Sequence, residues 1–413
     1  MSLAWISLIA LAVAVTLSMF TKVNVGVVSL AFAWIVGVYL GGLPLGQVIG
    51  GFPVQLFLTL AGVTLLFGMA NANGTLGRLA ARAVHACGGN AGLIPIVFFA
   101  IALGLSTIGP GNISTAAILA PMGMAVGAQA GISPFLMTLM VGNGAQAGAL
   151  SPFAPTGVIV NGIMDRIGLG GMEWTSYANN LLAHIAITFI AYFTFGGVKL
   201  FRRHADHVAD VEAAKIEPFQ AVHWLTLAVL AALVVGVVAF DLQVGMAALT
   251  GAAFLSLVNA ADEKEAIRKM PWGVVLMVCG VTVLIGVLEK TQGMALFSDL
   301  LARVSSPSTV TGIVALVVGI VSVYSSTSGV VLPAFLPTVP GLVERLGGGD
   351  AMGIASAMMV GGHLVDLSPL STIGALCIAA LPASEDPKRL FNQLLAWGLS
   401  MTVIGALICW VLF

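Results

Sequence analysis

The sequence predicts an all-α integral membrane protein of two inverted five-span repeats, each with an interfacial helix, a re-entrant hairpin and a broken helix. Three observations predict it. Of the 413 residues 59% are hydrophobic and only 8% charged, against roughly a quarter charged in soluble domains. Four long apolar segments are interrupted by proline, glycine and hydroxyl residues, which a helix in hydrocarbon tolerates only where protein or a cavity surrounds the break. The interruptions and their surroundings also occur twice, at a nearly constant spacing, as expected of an internal duplication.

Spans of about 20 apolar residues cross a bilayer, and the first half offers them at 3–20, 25–40 and 53–70. Segment 75–87 places Arg78, Arg82 and His85 on one face and reads as an interfacial helix. Segment 92–126 is broken by Ser106, Thr107 and the run Gly109-Pro110-Gly111-Asn112. Its arms are each too short to cross, so a hairpin with a polar tip is expected. Segment 134–164 contains the broken stretch 144–157, GAQAGALSPFAPTG, and 178–201 is a plain span. A charged linker, 203–221, follows and is read as cytoplasmic. It divides the chain into a first repeat, 1–202, and a second, 222–413.

In the second half, spans are predicted at 224–240, 244–257 and 271–288, with a charged loop at 261–269 and an interfacial helix at 289–304. A second hairpin, 309–342, has Ser325-Ser326-Thr327-Ser328 at its middle. Segment 353–380 contains the stretch 361–374, GGHLVDLSPLSTIG, and 390–413 closes the chain. Gly62-Val63-Thr64 answers Gly280-Val281-Thr282, LAAR at 79–82 answers LLAR at 300–303, and LSPF at 150–153 answers LSPL at 367–370. The offset stays between 216 and 221.

Five crossings per half is an odd number, so the second half enters from the opposite face, as in many secondary transporters. With Arg202 and Arg203 cytoplasmic, twelve of the sixteen Lys and Arg residues lie inside, and Arg166, Lys290, Arg303 and Arg345 lie outside. The positive-inside rule selects this orientation, a multi-pass protein of the inner (plasma) membrane with both termini external. The first apolar run has no basic leader and reads as a retained span. Cys87, Cys279, Cys377 and Cys409 lack metal or redox spacing. The net charge of −1 gives no reason to expect nucleic acid, and no Walker-type loop offers ATP a site.

Where a helix breaks, half-helix N-termini expose N–H groups that bind anions without a lysine or arginine. Half-helix C-termini expose carbonyls that suit Na⁺. The four interruptions supply both, so the expected ligands are an anion and a cation, with no other cofactor. For the anion the candidates are Asn112, Ser114, Thr115, Ser151, Thr156, Ser326, Thr327, Ser328, Ser368, Ser371 and Thr372. For a bound Na⁺ or a coupling proton they are Thr107, Asn112, Asn143, Gly144, Ser325, His363 and Asp366. Gln146 could also line the site. Asp366 is the one carboxylate placed well inside a span, with a structural pairing to His363 as the competing reading. Hydroxyls can equally serve as helix glue, and His184 reads as a packing residue. Arg345 reads as one of a solvated pair with Glu344, or as a guide for anions. Two registers are open at the second tip: Ser328 over Asn112, or Ser326-Thr327 over Ser114-Thr115.

These elements and motifs resemble the divalent anion:sodium symporter branch of the ion-transporter superfamily, and most closely the MatC-type malonate/dicarboxylate carriers. That branch carries a Ser-Asn-Thr triplet at each hairpin tip. Here the first reads Gly111-Asn112-Ile113 and the second Ser325-Ser326-Thr327 or Thr327-Ser328-Gly329, so only Asn112 carries over cleanly. The family's Thr-Pro-Pro break is approximated by Ser151-Pro152 through Pro155-Thr156 and by Ser368-Pro369 through Thr372. The resemblance implies symport of a small dicarboxylate such as malonate or a C4 acid with Na⁺ or H⁺. It also implies a homodimer and elevator-like motion of a transport part, 91–202 and 307–413, against a scaffold, 1–74 and 222–290. The alternative is a cation/proton antiporter of the same superfamily, with His363 and Asp366 as its exchange site. A channel, or an intramembrane hydrolase built on His363 and Asp366, leaves the duplication unexplained.

Overall fold

Every regular element among the described residues is a helix. The computed structural model describes residues 2–21, 23–78, 82, 90–201, 218–240, 242–323, 325–382 and 384–413. Lys22, Arg202 and Arg203, most of the interfacial segment 75–87 and most of the linker 203–221 lie outside them.

The first half begins with α1 (Leu3–Phe20), α2 (Val25–Leu40, ending in a π-helical turn) and α3 (Val54–Ala72). The hairpin follows as α4 (Leu93–Ile108) and α5 (Gly111–Gln129), then the broken helix as α6 (Pro134–Gly148) and α7 (Pro155–Arg166), then α8 (Glu173–Thr194). The second half starts with α9 (Ala221–Phe240) and α10 (Val244–Leu257). The charged segment 261–269 is not the loop expected. Asp262 accepts a hydrogen bond from the Glu265 N–H and caps α11 (Glu263–Lys269), with acids in its first turn and Arg268 and Lys269 in its last. Those charges suit the helix dipole. Then come α12 (Trp272–Lys290) and α13 (Gly293–Arg303), bent from each other by 85°. Gln292 makes the corner with a φ of +63°, and α13 turns aside where the interfacial helix was expected.

The second hairpin is α14 (Val310–Ser322) and α15 (Thr327–Leu346), whose first turn is π-helical. The second broken helix is α16 (Ala351–Val365) and α17 (Thr372–Ala379), and α18 (Pro387–Leu412) ends the chain. Among the described residues four helices are long and apolar enough to cross a membrane, or five with the bent pair counted as one span, and α5 and α15 are two of the four. The second arm of the first hairpin is therefore not too short to cross, as its sequence led us to expect, because the helix that starts at Gly111 runs unbroken through Pro121 to Gln129.

Small residues hold the spans together, as is usual where lipid removes the hydrophobic drive between helices. Helix α2 packs on α12 and α10 on α3. A Cβ on Gly26 would overlap the Leu276 carbonyl, and one on Gly280 the Gly26 carbonyl. In the other pair a Cβ on Gly62 would overlap the Gly245 carbonyl, and one on Gly245 would meet Thr59. Two amides repeat the pattern. Asn24 caps α2 and donates to the Gly273 carbonyl at 2.7 Å, and Gln243 caps α10 and donates to the Thr59 hydroxyl at 2.8 Å. The second span of each half is thus fastened to the third span of the other by matching residues.

Candidate functional site

At the first hairpin tip the chain turns through Gly109 and Gly111, with φ of +147° and +76°, a region glycine occupies without a Cβ clash. The Phe67 ring of α3 lies where a Gly109 side chain would stand. Beside it α6 ends at Gly148, and the chain crosses to α7 through Ser151 and Pro152. Pro155 occupies the first turn of α7, where its missing N–H costs nothing. Ser151 Oγ donates to the Thr107 carbonyl at 2.6 Å and accepts from the Phe153 N–H at 3.3 Å. The second break repeats this: Ser368 Oγ donates to the Val323 carbonyl at 2.9 Å and accepts from the Leu370 N–H at 3.3 Å. Ser371 Oγ donates to the carbonyls of Asp366 and Ser368 at 2.6 and 2.7 Å. Ser151 and Ser368 thus tie each break to its neighbouring hairpin, and Ser371 ties backbone within the second break.

These matched bonds also select a register for the second tip. Thr107 and Val323 are equivalent acceptors, and Pro121 and Pro337 follow at the same spacing. Ser328 therefore stands at the place of Asn112.

The four interruptions meet in one buried chain of polar groups. Asn112 Nδ2 donates to Gln146 Oε1 at 2.8 Å, and Gln146 Nε2 donates to Asp366 Oδ2 at 2.8 Å. Asn112 Oδ1 accepts from the Ile113 N–H at 3.0 Å and from Thr156 Oγ1 at 3.4 Å. Thr327 of the second tip lies beside Asp366 and donates to the Gly362 carbonyl of the same broken helix at 3.3 Å. The chain has a direction: Gln146 turns its NH2 to a carboxyl oxygen of Asp366, which accepts, and its own oxygen to the NH2 of Asn112. No lysine or arginine takes part in these bonds. The N-termini of α5, α7 and α17, which begin at the interruptions, carry no side-chain cap. At the second tip Ser326 accepts from the Gly329 N–H and fills that end.

The other expected residues are placed differently. Thr107 Oγ1 bonds Tyr177 at 2.9 Å, and Asn143 Oδ1 accepts from His184 at 3.1 Å. Gly144 is packed against the backbone of Phe99. His363 Nδ1 donates to the Met359 carbonyl at 2.8 Å, and no ion pair joins it to Asp366 among the described residues, so the structural pairing of the two is not formed. Thr115 and Ser325 are buried with hydroxyls that have no partner, Ser328 is buried and Ser114 half-buried. Thr372 is exposed. Measured from the shared serines, Ile373 takes the place of Thr156, and Thr372 falls one position short, on the outer face. Arg345 lies nearer Asp299, at 3.8 Å, than the sequence pairing with Glu344 expected. No three His, Cys, Asp or Glu side chains cluster as metal ligands among the described residues.

Sequence reasoning left Gln146 outside the two ligand sets, although a lone amide among small residues in GAQAG was a signal. It missed Asn180, which donates to the Gln146 carbonyl at 2.8 Å, and Tyr177, because α8 begins at Glu173, ahead of the predicted span.

A cavity of about 930 Å³ reaches Pro152 at the first break and opens past Asp165, Arg166, Glu173, Glu289 and Lys290. It runs between α7 and the helices α3 and α12. Arg166 and Lys290, assigned to one side by charge counting, share its rim. Asn112, Gln146 and Asp366 do not line it, so the buried chain is closed off from this opening.

Residues 1–149 match the family model described as the N-terminus of the dicarboxylate carrier protein MatC. No curated protein matches the sequence significantly. Among solved structures, the YdaH transporter of Alcanivorax borkumensis, reported to have an unusual topology, superposes with a TM-score of 0.61 at 15% identity, over 88% of this chain and 87% of its own. At that identity the likeness is one of fold. Both relatives are transport proteins and neither is an enzyme. The likeness to MatC-type carriers read from the sequence therefore holds over residues 1–149, and nearly the whole chain has the fold of a membrane transporter.

Proposed function

We propose that the chain is a cation-coupled secondary transporter of small dicarboxylates, malonate or a C4 acid, made of two inverted repeats and working by elevator-like alternating access. The observation that carries this reading is the buried chain from Asn112 through Gln146 to Asp366. It sets amide donors and uncapped helix ends, which suit a carboxylate, beside one acid, which suits a cation. The reciprocal fastening of α2 to α12 and α10 to α3 supports a two-fold relation between halves. The cavity between α7 and the scaffold helices supports an access route that opens and shuts at that boundary. The MatC-type likeness supports the substrate class.

The test is uptake of radiolabelled malonate and succinate into liposomes holding the purified protein, with an imposed Na⁺ or pH gradient. Accumulation under either gradient and none without is expected. No uptake under any gradient, with cation-dependent proton flux instead, would overturn the symport reading in favour of an antiporter.

A further inference from the structure

We infer that the open stripe of α5, Ala117, Pro121 and Ala125, is a docking face for α3, used in a second conformer in which α5 and α17 replace α7 and α15 against the scaffold. The inference rests on the proposed function and names the surface on which its moving part would close.

The packing of the two halves carries the argument. Helix α7 of the first half lies against α15 of the second, and α17 of the second lies against α5 of the first. These are the same pair of elements with the halves exchanged, yet their surroundings differ. Helix α7 also packs on α3, and α15 on α12. The second of these contacts is close, since Met277 Sδ stands where a Gly329 side chain would be. The exchanged contacts, α5 on α3 and α17 on α12, do not form packed pairs among the described residues. One pair of equivalent helices is docked and the other is free.

Exposure follows the same division, position by position. With Pro121 over Pro337, Ala117 answers Pro333, Ile118 answers Ala334 and Ala125 answers Gly341. Pro333 and Ala334 are buried, and Pro337 and Gly341 half-buried. Ala117, Pro121 and Ala125 are exposed, and their spacing of four sets them on one face of the helix. On α17, Ala375 and Ala379 are exposed, whereas their counterparts Val158 and Gly162 are half-buried at the cavity between α7 and α3. Small residues are what a close approach of membrane helices requires.

The scaffold supplies the matching surface. Asn24 and Gly26 fasten α2 to α12 as Gln243 and Gly245 fasten α10 to α3, so α3 and α12 are related surfaces. The place that accepts α15 on α12 has its twin on α3, and the element that answers α15 is α5. Exchanging one pair for the other replaces contacts with equivalent contacts. The two conformers then differ in energy only by the residues that do not repeat, which is the condition for a bistable arrangement.

The test is Ala117→Trp in the full-length protein, which adds bulk where this conformer has open space and the docked one has none. It is read by malonate uptake into liposomes under the Na⁺ or pH gradient that drives the wild type, by malonate binding in calorimetry, and by melting temperature. Uptake is expected to fall by roughly tenfold or more, as for overpacking in a closed interface. Binding should stay within about twofold of the wild type and the melting temperature should hold, as for an exposed substitution. Leu182→Trp, at a 63% exposed position of α8 outside both pairs, and Ala117→Ser should each keep uptake within about twofold. Ala375→Trp on α17 should repeat the loss and serves where Ala117→Trp does not fold. Uptake at the wild-type rate in the folded α5 or α17 variant overturns the docking alone. So does a loss of malonate binding along with uptake, or an equal loss in Leu182→Trp. A wild type that neither binds nor takes up dicarboxylate under any gradient overturns the transport reading, and the docking with it.

Discussion

Ser151 and Ser368 clasp matching carbonyls at the two breaks, yet the residue five positions before each behaves differently. Gln146 reaches both a hairpin tip and the acid of the other half. His363, at the matching place, folds back onto its own helix at Met359. The tips differ in the same sense: the first presents Asn112 at an uncapped helix start, and the second has Ser328 in that place and Ser326 closing its first turn. The acid reverses the bias, since Asp366 answers to Ala149. Two matching breaks thus differ in what stands beside them, amides at one and an acid at the other, and the residues that match can be separated from those that differ.

Removing the acid should give the largest effect. Asp366→Asn is expected to abolish cation-driven accumulation in liposomes while leaving malonate/malonate exchange. The neutral amide still fits the chain, but it cannot hold a charge-compensated cation. A variant that still concentrates malonate against its gradient would place coupling elsewhere and make the asymmetry between halves incidental.

The tips come next. Asn112→Ala leaves Gln146 Oε1 without its donor in a buried setting, a cost of about 1–3 kcal/mol, and also removes the proposed substrate donor. The expected result is a rise in the KM for uptake of roughly tenfold or more. Ser328→Ala should raise it by no more than about fivefold, because a hydroxyl bond contributes about 1 kcal/mol or less. Equal effects at the two tips would mean that substrate is held symmetrically and that the Asn/Ser difference has no bearing on recognition.

The frame should respond evenly. Ser151→Ala and Ser368→Ala each strand a hairpin carbonyl, that of Thr107 or Val323, and should cost about 1–2 kcal/mol of stability, read as similar falls in melting temperature in detergent. A much larger fall for one would show that the two breaks do not bear the same load.

How much of this was legible beforehand divides along the same line. Residues that repeat could be read, because a span or a Ser-Pro break is a local pattern. The bounds of α1 and α10 coincide with those expected, and the four interruptions fall where proline, glycine and serine placed them, although α5 and α15 are each long enough to cross where a re-entrant arm was expected. Residues that do not repeat could be nominated but not connected. Nothing in one sequence tells whether Asn143 will turn to His184 or to an ion, or that His363 will pass over Asp366 for a carbonyl of its own helix. The charged segment at 261–269 was misread for the opposite reason: its charge hid an ordinary capped helix.

Thr156 and Thr372 give the smallest and most discriminating comparison. By motif both look like the threonine that follows a proline break. By structure only Thr156 reaches the buried chain, at 3.4 Å from Asn112 Oδ1, and Thr372 is exposed because the matching register position belongs to Ile373. Thr156→Val keeps the shape and removes a long, weak hydrogen bond, so uptake should lose about two- to fivefold in affinity with the melting temperature nearly unchanged. Thr372→Val should alter neither quantity, since exposed substitutions usually stay within about 0.5 kcal/mol. A clear transport defect in Thr372→Val would mean that the outer face of α17 meets substrate in another conformation of the cycle, and the one-position slip between halves would then be part of the mechanism.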